Sequence, residues 1–581
     1  MGHTFGRPAM KTQYPPPKRR WLPEKGTLET WADYQPWYQQ LLDRSLDSVE
    51  ALQAWIFDRG ELDALVSGHG SRLYVAMARH SDDREAEQAF QRFQEDVLPQ
   101  VKTISDRLDR HFLASPAYSE LPSDSWQVYC RDTELGVRLF RPENVALETE
   151  EQLLAMEYGR LTGAMTVDFQ GRNHTLPALA KYSEDRDRGV REQAWRLAAG
   201  RRLQDREALE ELFEKLMKLR HQVALNADFP NFRDYQHEAK GRFDYRPEDC
   251  LALHDHIAEF VLPLAEAMQE RRRRLLDLDT LRPWDFSVDP EGRPPFEPFQ
   301  DQAGQVKVAE QVLQAIHPPF AADLQWMAQQ DLLDLATRPN KHPGGFMDTF
   351  EDSRQPFIFS NSGTTHGDVE TLIHESGHAI HALQSRHLEP VDYRSSPLEF
   401  AEVASMAMEA MAMEHYHQVY PQEEARRAVL DSLESLVRGL AWVATIDAFQ
   451  HWLYLHPDHD RQARRETWIS LRERFQPGVD WSGLEQERAY GWQAQLHLYE
   501  VPFYYVEYAI AQIGALQVWQ RYRRDPQAGI ADYLHGLQRG GSRPLPELFQ
   551  AAGLRFDPRG EMLPELMQEL GDFWRQLQEQ P

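Results

Sequence analysis

The segment TLIHESGHAIHAL, residues 371–383, places His374, Glu375 and His378 in the pattern HExxH. On an α-helix, residues four apart differ by about 40° around the axis, so the two histidines project side by side and can share one metal ion. Glu375 lies about 100° from His374, close enough to contact a water on that ion. The spacing is therefore typical of a zinc hydrolase, in which the metal acidifies a water and the carboxylate takes its proton.

The pattern can also arise by chance in a chain with 23 histidines, so its surroundings matter. Val369, Leu372, Ile380 and Leu383 form an apolar stripe roughly opposite the histidines. This predicts a helix that packs on the core and turns its histidine face towards a cleft. Asp368 is predicted to cap the helix. A metal site is favoured over a purely structural helix.

A catalytic zinc needs a third protein ligand, and the segment SSPLEFAEVASMAMEAM, residues 395–411, contains candidates for it. Ser396, Pro397 and Glu399 fit a capping box, in which serine caps the helix and glutamate reaches back to the cap. Glu402 has no such local role, and the small residues around it, at positions 401, 404 and 405, allow this helix to approach another closely. We therefore predict Glu402 as the third ligand.

Two residues near the predicted ligands have alternative interpretations. Glu409 lies about two turns beyond Glu402 and either orients a ligand histidine from outside the metal site or is an exposed helical glutamate. His381 lies one turn beyond His378, but a zinc held by two histidines and one glutamate does not need it. We predict that His381 lines the pocket or supports a ligand.

The composition is that of a folded globular protein, with 41% hydrophobic and 27% charged residues. The net charge of −28 is spread along the chain and argues against a nucleic-acid partner. Short basic runs at residues 18–20 and 271–274 are interpreted as solvated surface.

No stretch reaches the roughly 18 apolar residues of a membrane span, and the start lacks the apolar run of a signal peptide. Cys130 and Cys250 form no CxxC pair, so neither a disulfide nor a cysteine metal site is indicated. A cytoplasmic protein without membrane partners is predicted.

Most of the chain has helical periodicity, as in residues 206–224, where apolar residues recur at three- and four-residue steps. Proline- and glycine-rich connections are expected at residues 281–299 and 337–346. Short strands are predicted at residues 126–130, 136–140, 165–171 and 356–363.

Beyond the zinc motif, the chain contains an ordered series of distinctive segments: GRFDYRPEDC (241–250), LRPWD (281–285), HESGHAIH (374–381), FAEVAS (400–405) and HLYEVPFYYVEYAIAQIGALQVW (497–519). The series resembles the thimet oligopeptidase and oligoendopeptidase F family of zinc metallopeptidases, and its last segment resembles the oligoendopeptidase F and Pz-peptidase-like branch. The resemblance implies a mainly α, two-lobed fold with a deep substrate channel, a small β-sheet beside the zinc helix and one zinc ion on the channel floor. It also implies cleavage of internal bonds in short, unfolded oligopeptides.

Carried over residue by residue, the resemblance assigns His374, His378 and Glu402 as zinc ligands and Glu375 as the general base. We divide the chain into a proline-rich basic tail (residues 1–24), an N-terminal helical lobe (25–185) and a zinc peptidase region (186–581).

The resemblance also assigns His497, Tyr505 and Tyr508 to substrate binding and stabilisation of the oxyanion. Tyr505 and Tyr508 are three residues apart and share a helix face, and phenolic hydroxyls are suitable donors to a developing negative charge. The alternative is an aromatic core. Tyr504 is a further substrate-binding candidate, because EVPFYY replaces the glycine-rich run of vertebrate-type members and leaves the register before Tyr505 open.

Residues 344–363 resemble the family segment whose edge strand lies along the substrate, where an extended peptide adds through main-chain hydrogen bonds. We therefore predict that Gly344, Gly345 and the strand at residues 357–363, including Phe359 and Ser360, line the cleft. Residues 539–544 (RGGSRP) form either a mobile loop near the channel or a plain connection between helices.

Two alternatives to an endopeptidase are a zinc carboxypeptidase with a similar helical channel and a non-catalytic peptide-binding or metal-storing protein. The predicted ligand set would also accept cobalt or manganese. The sequence makes no prediction of oligomeric state.

Overall fold

The structure, a computed structural model, describes residues 13–23, 28–338, 340–342 and 344–579. Over these residues helices predominate, and no described helix combines the length and apolarity needed to cross a membrane. The α-helices are α1 (Trp31–Leu42), α2 (Val49–Arg79), α3 (Arg84–Arg92), α4 (Leu98–Leu113), α5 (Ser123–Leu139), α6 (Pro142–Gly163), α7 (Leu176–Leu179), α8 (Arg188–Gln204), α9 (Arg206–Asn226), α10 (Phe232–Ala239), α11 (Pro247–His256), α12 (Leu262–Leu275), α13 (Gln302–Ile316), α14 (Pro318–Gln329), α15 (His366–Ser385), α16 (Leu398–Ala412), α17 (Gln422–Leu455), α18 (Arg461–Phe475), α19 (Glu485–Ala489), α20 (Leu496–Glu500), α21 (Tyr505–Arg524), α22 (Pro526–Leu537), α23 (Leu545–Ala551) and α24 (Leu563–Glu579). The strands are β1 (Thr166–Phe169), β2 (Arg172–Thr175), β3 (Leu333–Ala336), β4 (Phe346–Phe350) and β5 (Gln355–Ser362).

The small sheet that packs against α15 has the strand order β3-β5-β4. β3 runs parallel to β5, and β4 runs antiparallel to it, with Met347 opposite Ile358. The strands predicted at residues 165–171 and 356–363 are confirmed as β1 and β5. β5 is thus the central strand, and each of its neighbours has one edge without a described partner strand.

The strands predicted at residues 126–130 and 136–140 are wrong, because both segments belong to α5. Trp126, Tyr129 and Thr133 are buried at three- and four-residue spacing, which is the period of a helix. The aromatic and β-branched residues in the two runs gave a local strand signal, but the polar residues between the runs contain no turn and continue the helix.

The buried apolar side chains form three clusters. One lies mainly within residues 22–129, a second combines residues 135–235 with residues 446–503, and the third spans residues 245–577 together with Val75 and Ala78. Tyr505 packs against both the second and the third cluster. The start of α21 therefore lies where these two cores meet.

The described part of the predicted tail, residues 13–23, lies against the folded chain. The hydroxyl of Tyr14 donates to Oδ1 of Asp323 at 2.6 Å, and its ring packs edge-on against Trp326. The remainder of the predicted tail, residues 1–12 and 24, lies outside the described residues.

Residues 539–544 connect α22 to α23 and are largely buried. Gly540 has a φ of +49°, and a Cβ there would lie 2.1 Å from the backbone oxygen of Tyr393. The N–H of Gly541 donates to that same oxygen at 2.8 Å. Such close backbone packing favours the plain helix connection over the mobile loop.

Candidate active site

α15 presents the HExxH residues and begins with a capping box. The hydroxyl of Thr365 accepts from the N–H of Asp368 at 3.3 Å, and the carboxylate of Asp368 accepts from the N–H of Thr365 at 2.8 Å. Thr365 is therefore the N-cap, and the prediction that Asp368 caps the helix is wrong by three residues. On the far side of the helix, Val369, Leu372 and Ile380 are buried, as predicted.

A glycine lets α15 approach α16 closely. A Cβ on Gly377 would lie 2.6 Å from the backbone oxygen of Ala404 and 2.6 Å from Cα of Ser405, so any side chain there would push the helices apart. This confirms the close approach predicted from the small residues around Glu402. Because Gly377 directly precedes His378, the contact sets the separation between the two helices that carry the predicted ligands.

His374, His378 and Glu402 meet in one cluster. Oε2 of Glu402 lies 3.6 Å from Nε2 of His374 and 3.4 Å from Nε2 of His378. One donor atom from each residue lies within 4.8 Å of the others. Donor atoms about 2.0–2.1 Å from a tetrahedral zinc lie about 3.3–3.4 Å apart, so the cluster fits this ion. Three protein ligands leave the fourth position open, as a catalytic metal requires.

Neighbouring side chains hold two of these ligands in place. Tyr504 donates its hydroxyl to Oε1 of Glu402 at 2.8 Å, and Ser405 donates to Oε2 at 2.9 Å. Nδ1 of His374 is hydrogen-bonded to Glu409, which is the contact expected of a residue that orients a ligand. The contact of Ser405 is not among the sequence-based predictions, although its spacing of three from Glu402 on a helix is a signal for it.

The charges around the cluster favour a cation. Burial opposes protonation of His374, but its hydrogen bond to Glu409 and the other nearby carboxylates raise the pKa of His374 to about 10. Burial also disfavours ionisation of Glu402, yet the hydrogen bond and charge of His378 and the charge of His374 lower the pKa of Glu402 to about 2. Since Glu375, Glu402 and Glu409 surround two imidazoles, a divalent ion would relieve their mutual repulsion.

Glu375 follows His374 on α15, and its side chain is nearly closed to solvent. Burial raises the pKa of its carboxyl group, although the neighbouring histidines partly oppose this effect. A carboxylate with a raised pKa accepts a proton from water more readily than an exposed one. The position and environment of Glu375 therefore suit a general base.

Ser396, Pro397 and Glu399 do not form the predicted capping box. α16 begins directly after Pro397 and has no side-chain cap. Oγ of Ser396 lies 3.1 Å from Nε2 of His381, and the buried carboxylate of Glu399 accepts from the hydroxyl of Tyr245 at 2.6 Å. The prediction is wrong because Ser396 and Glu399 contact His381 and Tyr245, on other helices or segments, instead of the backbone at the start of α16.

His381 is a buried core residue. Its ring packs edge-on against Phe400, with 6.0 Å between the centroids. Burial and the charge of His378 lower the pKa of His381 to about 3, so the imidazole is neutral. It is buried and contacts Ser396 and Phe400, and its assignment as a pocket-lining or supporting residue stays a prediction.

Four aromatic rings gather at the start of α21. The ring centroids of His497 and Tyr505 are 4.7 Å apart, those of Tyr505 and Tyr508 are 5.6 Å apart, and those of Tyr504 and Tyr508 are 5.0 Å apart. Tyr505 and Tyr508 line a cavity of about 270 Å³ together with Glu409. Tyr504 directs its hydroxyl to Glu402 and so contacts a predicted ligand, and its assignment to substrate stays a prediction.

The polar groups of this aromatic cluster are in the protonation states that hydrogen-bond donation requires. Burial and the charge of Glu402 raise the pKa of Tyr508, so its hydroxyl keeps its proton. Burial lowers the pKa of His497 to about 4, so its imidazole is neutral at pH 7. Nδ1 of His497 lies 2.8 Å from Nε2 of Gln495, which fixes the ring.

A larger cavity of about 530 Å³ adjoins the first, and the two share Ser435, Gly439 and Trp442. The two cavities therefore lie side by side. The wall of the larger cavity is aromatic and cationic, with Trp195, Trp481, Arg202, Arg438 and Arg472 among its residues.

The predicted lining of the cleft by β5 is wrong. Phe359 is 0% exposed and Ser360 is 2% exposed, because β5 is the central strand and its side chains pack into the core. Both β3 and β4 are edge strands, but β3 is largely buried whereas every residue of β4 is partly exposed. Gly344 and Gly345 are exposed directly ahead of β4.

Comparison with known proteins identifies similarity over most of the chain. The family model described as peptidase family M3 matches residues 181–567. Oligopeptidase PepF of Bacillus subtilis (strain 168) is 22% identical over 317 residues, which are 52% of this chain and 45% of that protein. Plasmid-encoded oligoendopeptidase F of Lactococcus lactis subsp. cremoris is 24% identical over 341 residues, 58% of this chain and 50% of that protein. The chain thus spans about half the length of the curated relatives it matches.

Among solved structures, Pz peptidase A with an inhibitor has a TM-score of 0.89 and 26% identity, covering 95% of this chain and 99% of that chain. The similarity therefore extends over nearly all of both chains. It confirms the predicted mainly α fold with its small β-sheet.

Proposed function

Because this chain belongs to peptidase family M3, we propose that it is a zinc-dependent endopeptidase that hydrolyses internal bonds of short, unfolded oligopeptides in the cytoplasm. The observation that carries the proposal is the cluster of His374, His378 and Glu402 beside the buried carboxylate of Glu375. These three ligands would hold one zinc ion. When bound, zinc supplies a Lewis acid that lowers the pKa of a water towards ~7 and polarises the scissile carbonyl group.

Glu375 moves the proton in this proposal. Its carboxylate accepts a proton from the attacking water and then donates it to the nitrogen of the departing peptide. The raised pKa of Glu375 suits both transfers, since the group must take up the proton and hold it until the bond breaks. Glu409 and Tyr504 keep His374 and Glu402 oriented meanwhile.

Tyr508, Tyr505 and His497 stabilise the negative charge that grows on the carbonyl oxygen. Their rings lie together beside the cavity. The charges of Glu402 and Glu375 both raise the pKa of Tyr508, which supports a position of its hydroxyl close to the reacting groups. Neutral phenol and imidazole groups fixed in a buried site are effective donors, because they need no reorganisation during the reaction.

The peptide binds in extended form along the free edge of β4. Main-chain hydrogen bonds to a strand edge are independent of side-chain identity, so we expect tolerance of many sequences. The exposed Gly344 and Gly345 leave the approach to this edge open. The neighbouring aromatic and cationic cavity, which shares Trp442 with the first, would accommodate further residues of the peptide.

Replacing Tyr508 with phenylalanine is expected to lower kcat by about 10²- to 10³-fold, because one donor to the oxyanion is lost while the ring is kept. KM should change little, since that bond forms mainly in the transition state. Steady-state kinetics on a fluorogenic peptide measures both constants. The matched control is Tyr118→Phe, whose hydroxyl donates to Glu134 in the N-terminal part of the chain. Unchanged kcat in Tyr508→Phe would remove Tyr508 from the mechanism.

Mass spectrometry of the products from two decapeptides of one sequence tests the endopeptidase assignment. One peptide has free ends, and the other has an acetylated amino end and an amidated carboxyl end. We expect the same internal cleavage in both, because strand addition at β4 does not require a free terminus. Release of single carboxyl-terminal residues from the free peptide, with no cleavage of the blocked one, would instead identify a carboxypeptidase.

A further inference from the structure

A second group of potential metal ligands lies between α11 and α17, and none of its members belongs to the candidate active site. Cys250 and His254 are four residues apart on α11, and Asp447 and His451 are four apart on α17. This spacing places each pair on one face of its helix. The two pairs meet in the interior, where none of the four residues is more than 5% exposed.

The distances within this group approach those of a metal site. One donor atom each from Cys250, Asp447 and His451 lies within 4.8 Å of the others. Nε2 of His451 lies 3.3 Å from Oδ2 of Asp447, and Nε2 of His254 lies 2.8 Å from the same oxygen. Ligands of a tetrahedral zinc, with Zn–S of about 2.3 Å and Zn–N or Zn–O of about 2.0–2.1 Å, lie roughly 3.3–3.6 Å apart. Small side-chain rotations would bring the three donors to that spacing.

The protein itself leaves this group incompletely hydrogen-bonded. Oδ1 of Asp447 and Nδ1 of His451 are buried and have no hydrogen-bond partner among the described residues. Sγ of Cys250 makes a weak 3.7 Å contact with the backbone oxygen of Arg246. Buried polar atoms are nearly always paired, so unpaired atoms beside a thiol point to a further ligand. The rings of Phe475 and Phe503 pack against His254 and His451.

We propose that Cys250, Asp447 and His451 bind a second metal ion of the zinc class, with His254 fixing the carboxylate of Asp447. A thiolate selects against hard ions such as Mg²⁺ and Ca²⁺, and a set of sulfur, nitrogen and oxygen ligands suits Zn²⁺ or Co²⁺. Binding removes the thiol proton of Cys250, and the thiolate and carboxylate then carry two negative charges that a divalent ion neutralises.

Three protein ligands leave a fourth position on this ion too, but its role is structural and not catalytic. The site is closed to peptides, and it links two helices whose paired residues, His254 and Asp447, are 193 positions apart in the chain. It also lies next to the substrate tyrosines: the ring of Phe503 packs on His451, and the N–H of Phe503 donates to Gln450 at 2.6 Å. The ion would therefore stabilise the turn that leads into Tyr504 and Tyr505.

Cobalt substitution tests the second site through its sulfur ligand. The full chain is produced in zinc-depleted, cobalt-supplemented medium, and its metal content and absorption spectrum are measured. We expect two cobalt ions per chain and a thiolate-to-cobalt charge-transfer band, which His374, His378 and Glu402 cannot produce. One ion per chain without that band would overturn the proposal. The wild-type protein suffices for this decision, whether or not a cysteine variant folds.

Variants assign the band to its ligand. Cys250→Ser is expected to lose the band and one ion, whereas Cys130→Ser, the matched control, keeps both. His378→Ala should lose the other ion and keep the band. If the cobalt-substituted wild-type protein hydrolyses peptides but holds one ion and shows no charge-transfer band, the second site is refuted and the proposed function stands. If it is inactive but holds one ion and shows the band, the proposed function is refuted and the second site stands.

Discussion

Glu375→Gln is expected to lower kcat for peptide hydrolysis by about 10²- to 10⁴-fold, the usual contribution of a general base. The amide has almost the same shape as the carboxylate, so the helix and the neighbouring ligands stay in place, but it cannot accept a proton from water. The carboxyl group of Glu375 is buried beside the predicted ligands, and no solvent-exposed base can easily replace it. Steady-state kinetics on a fluorogenic peptide measures the effect.

Two comparisons separate loss of the base from loss of the site. Metal content, measured by inductively coupled plasma mass spectrometry, should equal that of the unmodified protein. Glu375→Asp retains a carboxylate that is one methylene shorter, so it should lose less activity than Glu375→Gln. Near-normal turnover in Glu375→Gln would exclude Glu375 as the base.

His378→Ala is expected to remove one metal ion per chain and reduce hydrolysis to the background rate. The imidazole supplies one of three proposed ligands, and of the two histidines it is His378 whose Nε2 lies closer to Oε2 of Glu402, at 3.4 Å. Loss of a ligand should weaken metal affinity by more than the ~10- to 100-fold that follows loss of a supporting hydrogen bond. Metal content after dialysis and peptide hydrolysis are the two measurements.

The matched control for this variant is His387→Ala. His387 is exposed just beyond the end of α15, and its Nδ1 contacts the backbone oxygen of Gln384. It should keep its full metal content and activity. If His378→Ala also retained both, the ligand assignment would be wrong and another group would have to hold the ion.

Most of the helices and the predicted ligand cluster follow from periodicity and spacing. The HExxH segment predicts a helix, the face of that helix that is buried and the face that carries the histidines. All three depend on residues within one or two turns. Glu402 was singled out within a neighbouring helix by the same local reasoning. The residues that contact these ligands were harder to assign, since the link between Tyr504 and Glu402 spans 102 positions.

The errors have a common physical cause, which is competition from partners distant in sequence. Glu399 has the right position for a capping box, but its carboxylate is used by Tyr245, 154 positions earlier. Phe359 and Ser360 lie on the predicted strand, but their burial depends on β5 being central in the sheet, which pattern alone does not give. The spacing of Cys250 and His254 is visible in the sequence, but their pairing with α17 is not.

The second hydrophobic cluster constrains how the chain can fold as it is made. Its first part lies in residues 135–235, but the side chains that complete it lie in residues 446–503. Synthesis from the amino end therefore exposes the apolar surface of the first part while more than 200 further residues are added. Contacts between residues this far apart in sequence form slowly, because the long loop between them must first be closed at a cost in conformational entropy. The start of α21, with the tyrosines proposed to stabilise the oxyanion, packs on this core and so becomes ordered only after residue 503 has been made.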